Sequence, residues 1–123
     1  FPLQLRVALV LGNGKQYLPW IHLHDICSMY QFAIENKHCK GVYNCVANES
    51  ITYESCIQTA KNMYSKKMLP FSVPAFLLKF VLGKRSSLLL YGSRINNARI
   101  IESGFSFSYT TFEECLKNLI ANK

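Results

Sequence analysis

The chain has 123 residues, of which 50% are hydrophobic, 13% aromatic and 17% charged. This composition is too apolar for a disordered tail and sufficient for one modest hydrophobic core. The longest apolar stretch, residues 69–91, is interrupted by lysines and prolines, so no run approaches the roughly 18 to 20 apolar residues that a membrane-spanning helix needs. Lys and Arg number 14 against 7 Asp and Glu, a formal net charge of +7, and these figures alone indicate no function.

The start of the chain and its cysteines bear on its origin and compartment. The sequence begins with Phe1 and has no secretory signal at this end, so we expect a piece of a longer polypeptide. Five scattered cysteines without a C-x-x-C pair predict reduced thiols and a cytoplasmic location. Structural zinc sites use paired spacings of their ligands, so no metal is expected.

Hydrophobic periodicity predicts short strands and amphipathic helices in the N-terminal half. Residues 3–11 are compatible with either a short helix or a buried strand, and Asp25 is interpreted as the N-cap of the helix that follows it. The predicted elements are the helix or strand at 3–11, a turn at 12–14, an edge or irregular strand at 17–22, a helix at 26–36, a strand at 42–47 and a helix capped by Thr52.

The C-terminal half is predicted to be mainly helical. The helix at 75–82 is apolar almost all round, so it is expected to be deeply packed or to meet a partner. Thr110-x-x-Glu113 is interpreted as the capping box of the last helix. The predicted elements are a strand at 69–73, helices at 75–82, 86–91 and 94–102, an extended segment at 105–109 and a helix from residue 112. The fold class is therefore α/β, or helix-rich α+β.

Three patterns that could carry chemistry are incomplete. Gly12-Asn13-Gly14 supplies two glycines of G-x-G-x-x-G, but Tyr17 occupies the third position and no helix begins there. His22-x-His24-Asp25 lacks an obvious third strong metal ligand, so a polar histidine at a strand end is favoured. There is no G-x-S-x-G motif, and Cys45 is interpreted as a buried structural thiol rather than a nucleophile.

Positive charge accumulates in the C-terminal half without a nucleic-acid recognition signature. The basic residues concerned are Lys79, Lys84, Arg85, Arg94 and Arg99. A basic patch of this kind is compatible with nucleic-acid binding. Because no recognition motif accompanies it, a solvated face or a pocket for one or two phosphates is favoured.

Residues 14–25 (GKQYLPWIHLHD) and three later blocks resemble one protein family. That family is the nucleoside-diphosphate-sugar epimerase branch of the extended short-chain dehydrogenase/reductases, whose bacterial members are sometimes labelled cell-division inhibitors. The similarity is to the C-terminal half of these proteins and spans residues 9–120. The later blocks are 41–44 (GVYN), 73–76 (VPAF) with Leu82-Gly83, and 92–94 (GSR) followed by 102–107 (ESGFSF).

The resemblance implies the C-terminal part of a Rossmann-type fold without its cofactor-binding half. In the family, that half carries the Gly-rich loop and the Tyr-x-x-x-Lys pair, and no tyrosine here is followed four residues later by lysine. The chain itself would therefore hold no catalytic residue and no cofactor, while NAD(P) is implied for the parent. The family has Gln and Pro where this chain has Ser93 and Asn97. We expect residues 1–68 to be a remnant of the Rossmann domain and 69–123 to be a small helical domain.

Four residues are predicted to bind substrate because of the resemblance. Gln16, Trp20 and His22 would line the cleft, and Arg94 would pair with a phosphate. Core packing is an equally weighted alternative for Trp20, and a surface ion pair with Glu102 or a neighbouring residue is a slightly favoured alternative for Arg94.

The leading hypothesis is a substrate-side part of an NAD(P)-dependent sugar-nucleotide epimerase or oxidoreductase that is inactive alone. Its expected partners are the missing N-terminal half, a nucleotide-sugar-like molecule and a second copy of the chain, with residues 42–47 and 75–82 at the self-association interface. Neither a membrane nor a nucleic acid is expected as partner. The alternatives are a protein-interaction module that uses the apolar helix and, ranked lower, a basic nucleic-acid-binding domain.

Overall fold

The computed structural model describes residues 7–63 and 69–122 and contains short strands and more numerous helices. Strands β1 to β4 span Val7–Leu11, Tyr17–Leu18, Ile51–Thr52 and Leu69–Val73. Helices α1 to α6 span Leu23–Glu35, Tyr53–Met63, Ala75–Leu82, Ser86–Leu90, Ala98–Glu102 and Phe112–Ala121. The predicted helix-rich α/β class is confirmed. The part of the first predicted element at residues 3–6, and the end of the second helical pattern at 64–68, lie outside the described residues.

The chain divides into two compact units that alternate along the sequence. The sheet unit comprises residues 1–18 and 51–93, and the pocket unit comprises residues 19–50 and 94–123. The boundary predicted between residues 68 and 69 falls at the edge of a stretch outside the described residues. The division into 1–68 and 69–123 therefore stays a prediction.

The sheet unit is built on a parallel strand pair. Strands β1 and β4 pair in register from Val7 opposite Leu69 to Leu11 opposite Val73, which identifies the described part of the first apolar run as a strand. Parallel neighbours need a crossover, and α2, which packs on β1, lies between them in the sequence. A separate short antiparallel ladder joins β2 to β3.

Glycines shape two close approaches in the sheet unit. Gly12 and Gly14 have φ values of +63° and +69°, a conformation that favours glycine, and the Gly12 N–H donates to the Val73 carbonyl at 3.0 Å. The glycine pair therefore forms a tight turn. A Cβ atom at Gly92 would collide with the backbone carbonyl of Tyr17, so this position accepts glycine alone without movement of the backbone.

Helix α3 begins after Pro74 and ends at Gly83, as the sequence predicts. Its packing contradicts the first of the two alternatives, deep burial, while contact with a partner stays a prediction. Of its eight residues, all of which the structure describes, only Leu78 is buried. Phe76 is 75% exposed and Phe80 is 87% exposed. The helix is apolar all round, yet within the described residues it is anchored mainly by Leu78.

The core of the pocket unit surrounds α1 and α5. Met29, Ile100 and Phe105 are buried together. The rings of Phe32 and Phe105 meet edge to face at 5.6 Å, and those of Phe105 and Phe107 at 5.1 Å. The apolar side chains at 105 and 107 alternate with exposed Ser106, so the predicted extended segment is confirmed as half-buried, without strand pairing.

The start of α1 differs from the prediction. The helix begins at Leu23 and not at Ile26, and its N-cap is His22, whose Nδ1 accepts the His24 backbone N–H at 3.0 Å. Asp25 therefore lies inside the first turn and is not the cap. The error arose because an aspartate before an apolar periodic run is a strong capping signal, whereas a histidine cap has little sequence signature.

The predicted strand over residues 42–47 is absent from this described segment. Its backbone carbonyls are used differently, because Arg99 Nη1 donates to the Val42 carbonyl and Nη2 to the Lys40 carbonyl, each at 2.9 Å. The Arg99 guanidinium also lies 5.0 Å from the centre of the Tyr43 ring. Hydrogen bonds from the Arg99 side chain thus take the place of bonds from a neighbouring strand. The β propensity of residues 42–47 alone does not predict this contact.

Two further elements are shorter than predicted. The strand expected over 17–22 is limited to Tyr17–Leu18, because Pro19 supplies no backbone N–H for a longer ladder. The helix expected over 94–102 is limited to Ala98–Glu102, because the Asn96 side chain accepts the Ala98 N–H at 2.7 Å. Local side-chain bonds of this kind compete with helix formation.

The helix starts at α2 and α6 are capped by threonines. Thr52 Oγ1 accepts the Ser55 N–H at 3.3 Å, which confirms its predicted role. The capping box of α6 uses Thr111 and Glu114, one residue later than predicted. The backbone N–H of Thr111 and further donors at Thr110 hold the pKa of the Glu114 carboxyl below its ordinary value.

Within the described ranges, every helix is too short or too polar to cross a bilayer.

Candidate functional site

An apolar depression in the pocket unit contains Trp20. This aromatic pocket has a volume of about 190 Å³. Its lining residues come from the segments on either side of α1 and from the start of the second half of the unit, and they are Pro19, Trp20, Ile21, Asn44, Cys45, Val46 and Ile95. The pocket therefore has an indole wall, aliphatic neighbours and an amide at its edge.

Trp20 is fixed in position by bonds at both its ring and its backbone. The indole Nε1–H donates to the Glu49 carbonyl at 3.1 Å, and the Trp20 carbonyl accepts the Ala47 N–H at 2.7 Å. The Phe112 ring meets the indole edge to face at 5.4 Å, and the Phe112 N–H donates to the Glu49 carboxylate at 2.5 Å. Trp20 is half-buried, so it both packs in the unit and offers part of its surface to the pocket.

A second, polar pocket contains Arg94. It has a volume of about 390 Å³ and is lined by Asn48, Ser50, Arg94, Ile95, Asn96 and Asn97. Ile95 belongs to both pockets, so the two are neighbours. Within the described part of the chain the Arg94 guanidinium makes no ion pair, and the predicted alternative pairing with Glu102 is not observed. The charge is exposed beside amide and hydroxyl groups, a combination suited to a phosphate.

Two side-chain amides connect the walls of these pockets. Asn44 Nδ2 donates to the Asn96 carbonyl at 2.7 Å, and Asn97 Nδ2 donates to the Val46 carbonyl at 3.1 Å. Both walls are irregular backbone without strand or helix. The two side-chain amides therefore hold the walls together, as backbone hydrogen bonds between strands do in a sheet. Asn97, the residue that stands where the resembling family has proline, supplies one of the two bonds.

His22 lies close to Trp20 in sequence but faces different neighbours. Its Nε2 is 3.1 Å from Asn118 Oδ1, and its ring stacks on Tyr109 with centroids 3.9 Å apart. Because Nδ1 accepts the His24 N–H, the ring hydrogen lies on Nε2 and donates to Asn118. The side chain is buried and lines neither pocket. Its predicted contact with substrate stays a prediction.

Gln16 belongs to the sheet unit, where it lies in the connection between β1 and β2. Its Nε2 donates to the Leu11 carbonyl at 3.0 Å, and its side chain is half-buried. The amide thus closes the turn formed by the two glycines. Among the four predicted binding residues, the structure places Trp20 and Arg94 in adjacent pockets, with His22 elsewhere in the same unit and Gln16 in the other unit. Substrate contact by any of them stays a prediction.

The described residues offer little for metal or nucleophilic chemistry. No group of three His, Cys, Asp or Glu side chains within the described ranges is placed to hold a metal ion. Cys45 is exposed, so its interpretation as a buried thiol was wrong. Burial raises the pKa of the Cys56 thiol to about 11, which keeps that cysteine protonated and unreactive at neutral pH.

Several residues that shape the pockets have no signature in the sequence. Glu49 accepts two hydrogen bonds, from the Trp20 indole N–H at its backbone carbonyl and from the Phe112 backbone N–H at its carboxylate. Asn118 orients the His22 ring from 96 residues away. Asn97 departs from the family pattern, but that departure by itself indicates no role. Polar residues of this kind are common on surfaces, so long-range bonds made by them leave no periodic pattern to find.

Comparison with known proteins agrees with the resemblance found in the sequence. Residues 73–119 match the domain of unknown function DUF1731. The chain is 29% identical over 120 residues to the mouse epimerase family protein SDR39U1, covering 98% of this chain and 41% of that protein. It is 33% identical over 123 residues to the epimerase family protein YfhF of Bacillus subtilis, covering 99% of this chain and 40% of that protein.

A solved structure is similar in fold to nearly the whole chain. The crystal structure of human epimerase family protein SDR39U1 (isoform 2) with NADPH matches with a TM-score of 0.88 and 28% sequence identity, covering 99% of this chain and 41% of that one. The chain thus spans about two fifths of the length of the relatives that it matches. Over nearly its whole length it is similar to the C-terminal part of these epimerase family proteins, and its residues 73–119 match DUF1731.

Proposed function

We propose that this chain forms the substrate-binding side of an NAD(P)-dependent epimerase or oxidoreductase that acts on a nucleoside-diphosphate sugar. The observation that carries the proposal is the match, over 99% of this chain, to part of a protein whose structure was solved with NADPH. The chain has no Tyr-x-x-x-Lys pair and no complete G-x-G-x-x-G loop. We therefore propose that it has no activity alone.

The two adjacent pockets support a ligand with a planar ring and a phosphate. Trp20 offers an indole face beside Pro19 and Val46, and aromatic side chains stack well on bases and sugars. Arg94, next to Ser50 and Asn48, can form paired charge-assisted hydrogen bonds to a phosphate. The polar pocket alone, about 390 Å³, lies within the usual range for small-molecule sites.

The sheet unit supports a second proposal about the partner that supplies the cofactor. Within the described ranges, β1 and β4 pair with each other and with no third strand. Parallel sheets are normally larger and covered on both faces. We propose that a nicotinamide-binding half adds strands to this pair, and that the isolated chain self-associates through the same open edges.

Nucleotide-sugar binding can be measured through Trp20, the one tryptophan of the chain. Titration with a uridine diphosphate sugar is expected to change Trp20 fluorescence saturably, and uridine diphosphate alone is expected to compete. Arg94→Gln should weaken binding about tenfold, because a charge-assisted phosphate contact is lost. Lys37→Gln, an exposed cation of the same unit outside both pockets, is the matched control and should bind like the parent.

Three results would overturn the proposal. One is the absence of any saturable response to the diphosphate sugar. Another is equal weakening by Arg94→Gln and Lys37→Gln, which would show a general charge effect. The last is oxidation of NADPH by the isolated chain, because the proposal places the cofactor chemistry on another polypeptide segment.

A further inference from the structure

The net charge of the chain is confined to one of its two units. The sheet unit, residues 1–18 and 51–93, contains eight of the 14 Lys and Arg residues and a single acid, Glu54, so its formal charge is +7. The pocket unit contains six basic and six acidic residues and is formally neutral. No acidic residue occurs between Glu54 and Glu102 in the sequence. The part of the molecule with the candidate pockets is therefore electrically distinct from the part with the strands.

The basic unit also carries a projecting apolar surface on α3. This apolar face consists of Phe76, Leu77, Phe80 and Val81, which are 75%, 43%, 87% and 71% exposed. The four residues form two pairs with i, i+4 spacing, so they lie on the same side of the helix. At exposures this high the aromatic rings project outward and do not line a groove.

Three exposed cations adjoin the apolar face. Lys79 lies within α3, and Lys84 and Arg85 lie in the 3₁₀ turn that follows it, Gly83–Arg85. Within the described part of the chain none of the three forms an ion pair. The surface thus combines projecting aromatic and aliphatic groups with uncompensated positive charge.

We propose that this apolar face docks on the surface of an anionic lipid bilayer. The Phe76 and Phe80 rings would enter the interfacial layer, and the three cations would contact lipid phosphates. Binding of this kind draws on buried apolar area together with attraction to anionic headgroups. A helix of eight residues is about 12 Å long, so it would rest in the interface and not span it. This proposal departs from the sequence-based expectation that no membrane is a partner.

Charge and shape favour the bilayer over a second copy of the chain and over a nucleic acid. A second copy docked through the same face would bring the Lys79, Lys84 and Arg85 sets of two molecules together. A nucleic acid would neutralise the cations but would leave Leu77 and Val81 without an apolar environment. An anionic bilayer surface satisfies both groups at once, and it deforms around projecting rings.

Co-sedimentation of the full chain with vesicles tests the proposal directly. Binding is expected to vesicles of phosphatidylcholine mixed with phosphatidylglycerol, not to phosphatidylcholine alone, and it should fall as salt screens the charges. Phe76→Ser with Phe80→Ser should reduce partitioning at least about tenfold. Neutralising Lys79, Lys84 or Arg85 to Gln should weaken it up to about fivefold for each cation.

The pocket unit provides matched controls. Leu23→Ser with Ile34→Ser removes two side chains that are 74% and 81% exposed on α1, and Lys37→Gln with Lys40→Gln removes two exposed cations. These variants should bind vesicles like the parent chain, and circular dichroism should show that every variant is folded. Absence of binding to anionic vesicles, or equal loss in the controls, would overturn the proposal. So would a dimer in light scattering that the Phe76 and Phe80 changes abolish, or a preference for an oligonucleotide over vesicles.

Discussion

The Asp25 carboxylate accepts the backbone N–H of Ser108 at 2.8 Å across 83 residues of sequence. Its second oxygen accepts the Tyr109 N–H at 3.0 Å, and the side chain is completely buried. A buried carboxylate is stable only where donors compensate its charge. Asp25 therefore fastens the first turn of α1 to the extended segment that precedes α6, and it fulfils a tertiary function in place of a helix cap.

Removal of the Asp25 carboxylate should destabilise the pocket unit strongly. Asp25→Ala leaves two partly buried backbone N–H groups without their acceptor, and we expect a loss of about 3 kcal/mol in the free energy of unfolding. Asp25→Asn keeps one acceptor oxygen and should lose less. Urea denaturation measures both, with Glu102→Ala, an exposed acid, as the control. A loss below about 0.5 kcal/mol for Asp25→Ala would contradict the role of this carboxylate.

Gly92 should tolerate no larger residue. A Cβ at this position would collide with the Tyr17 carbonyl, so Gly92→Ala must displace backbone and should cost about 2 to 3 kcal/mol. Gly83→Ala is the matched control. Its φ of +55° imposes strain, but no atom lies within 4 Å of the added Cβ, and the expected cost is about 1 kcal/mol. Thermal unfolding measures the stability of both variants. Equal stability of Gly92→Ala and Gly83→Ala would contradict the steric argument.

Asn97 should control ligand binding by holding the pocket walls. Its amide bond to the Val46 carbonyl is lost in Asn97→Ala, and we expect an affinity for the diphosphate sugar about fivefold lower, with about 1 kcal/mol of stability lost. Asn97→Pro removes the same bond. Asn62→Ala, which removes an exposed amide partner on α2, serves as the control. Unchanged affinity in Asn97→Ala, measured by Trp20 fluorescence, would show that the bridge does not shape the site.

Cys56 should make stability depend on alkaline pH. Burial raises the pKa of its thiol from the ordinary 9.0 to about 11, so the folded chain holds the proton more tightly than the unfolded chain. This contribution is complete below pH 9 and is lost as the pH rises toward 11. The free energy of unfolding should therefore fall less steeply through this range in Cys56→Ala than in the parent chain. Identical pH slopes would contradict the prediction.

The same pKa shift predicts selective alkylation at neutral pH. The exposed Cys27 and Cys45 should react with iodoacetamide well before the half-buried Cys56. Mass spectrometry of partially modified chain measures the order. The reverse order would show that Cys56 is accessible and ionised.

Elements whose patterns are local were predictable from the sequence. Helices α2 and α6 follow their apolar spacing, and α3 begins after Pro74 and ends before Gly83, as predicted. The similarity to the epimerase family proteins was also visible in short blocks such as residues 14–25. Each of these features depends on side chains that are neighbours along the chain.

The errors share a different physical origin. Residues 42–47 have the composition of a strand, but Arg99 takes up the Val42 carbonyl from 57 residues away. The aspartate that resembles a cap instead accepts two distant N–H groups, as described above. In both cases a polar group has a partner that only folding brings near, and no local propensity encodes that partner.

The sequence by itself determined the resemblance to the epimerase family proteins, the helix-rich class and the positions of helices α2, α3 and α6, because periodicity and short motifs act over a few residues. The tertiary structure alone decided that Trp20 and Arg94 occupy adjacent pockets sharing Ile95, and that α3 projects its apolar face. Pocket walls are joined by hydrogen bonds between residues about fifty positions apart. Exposure depends on which segments pack against a helix, and that is fixed only when the whole chain has folded.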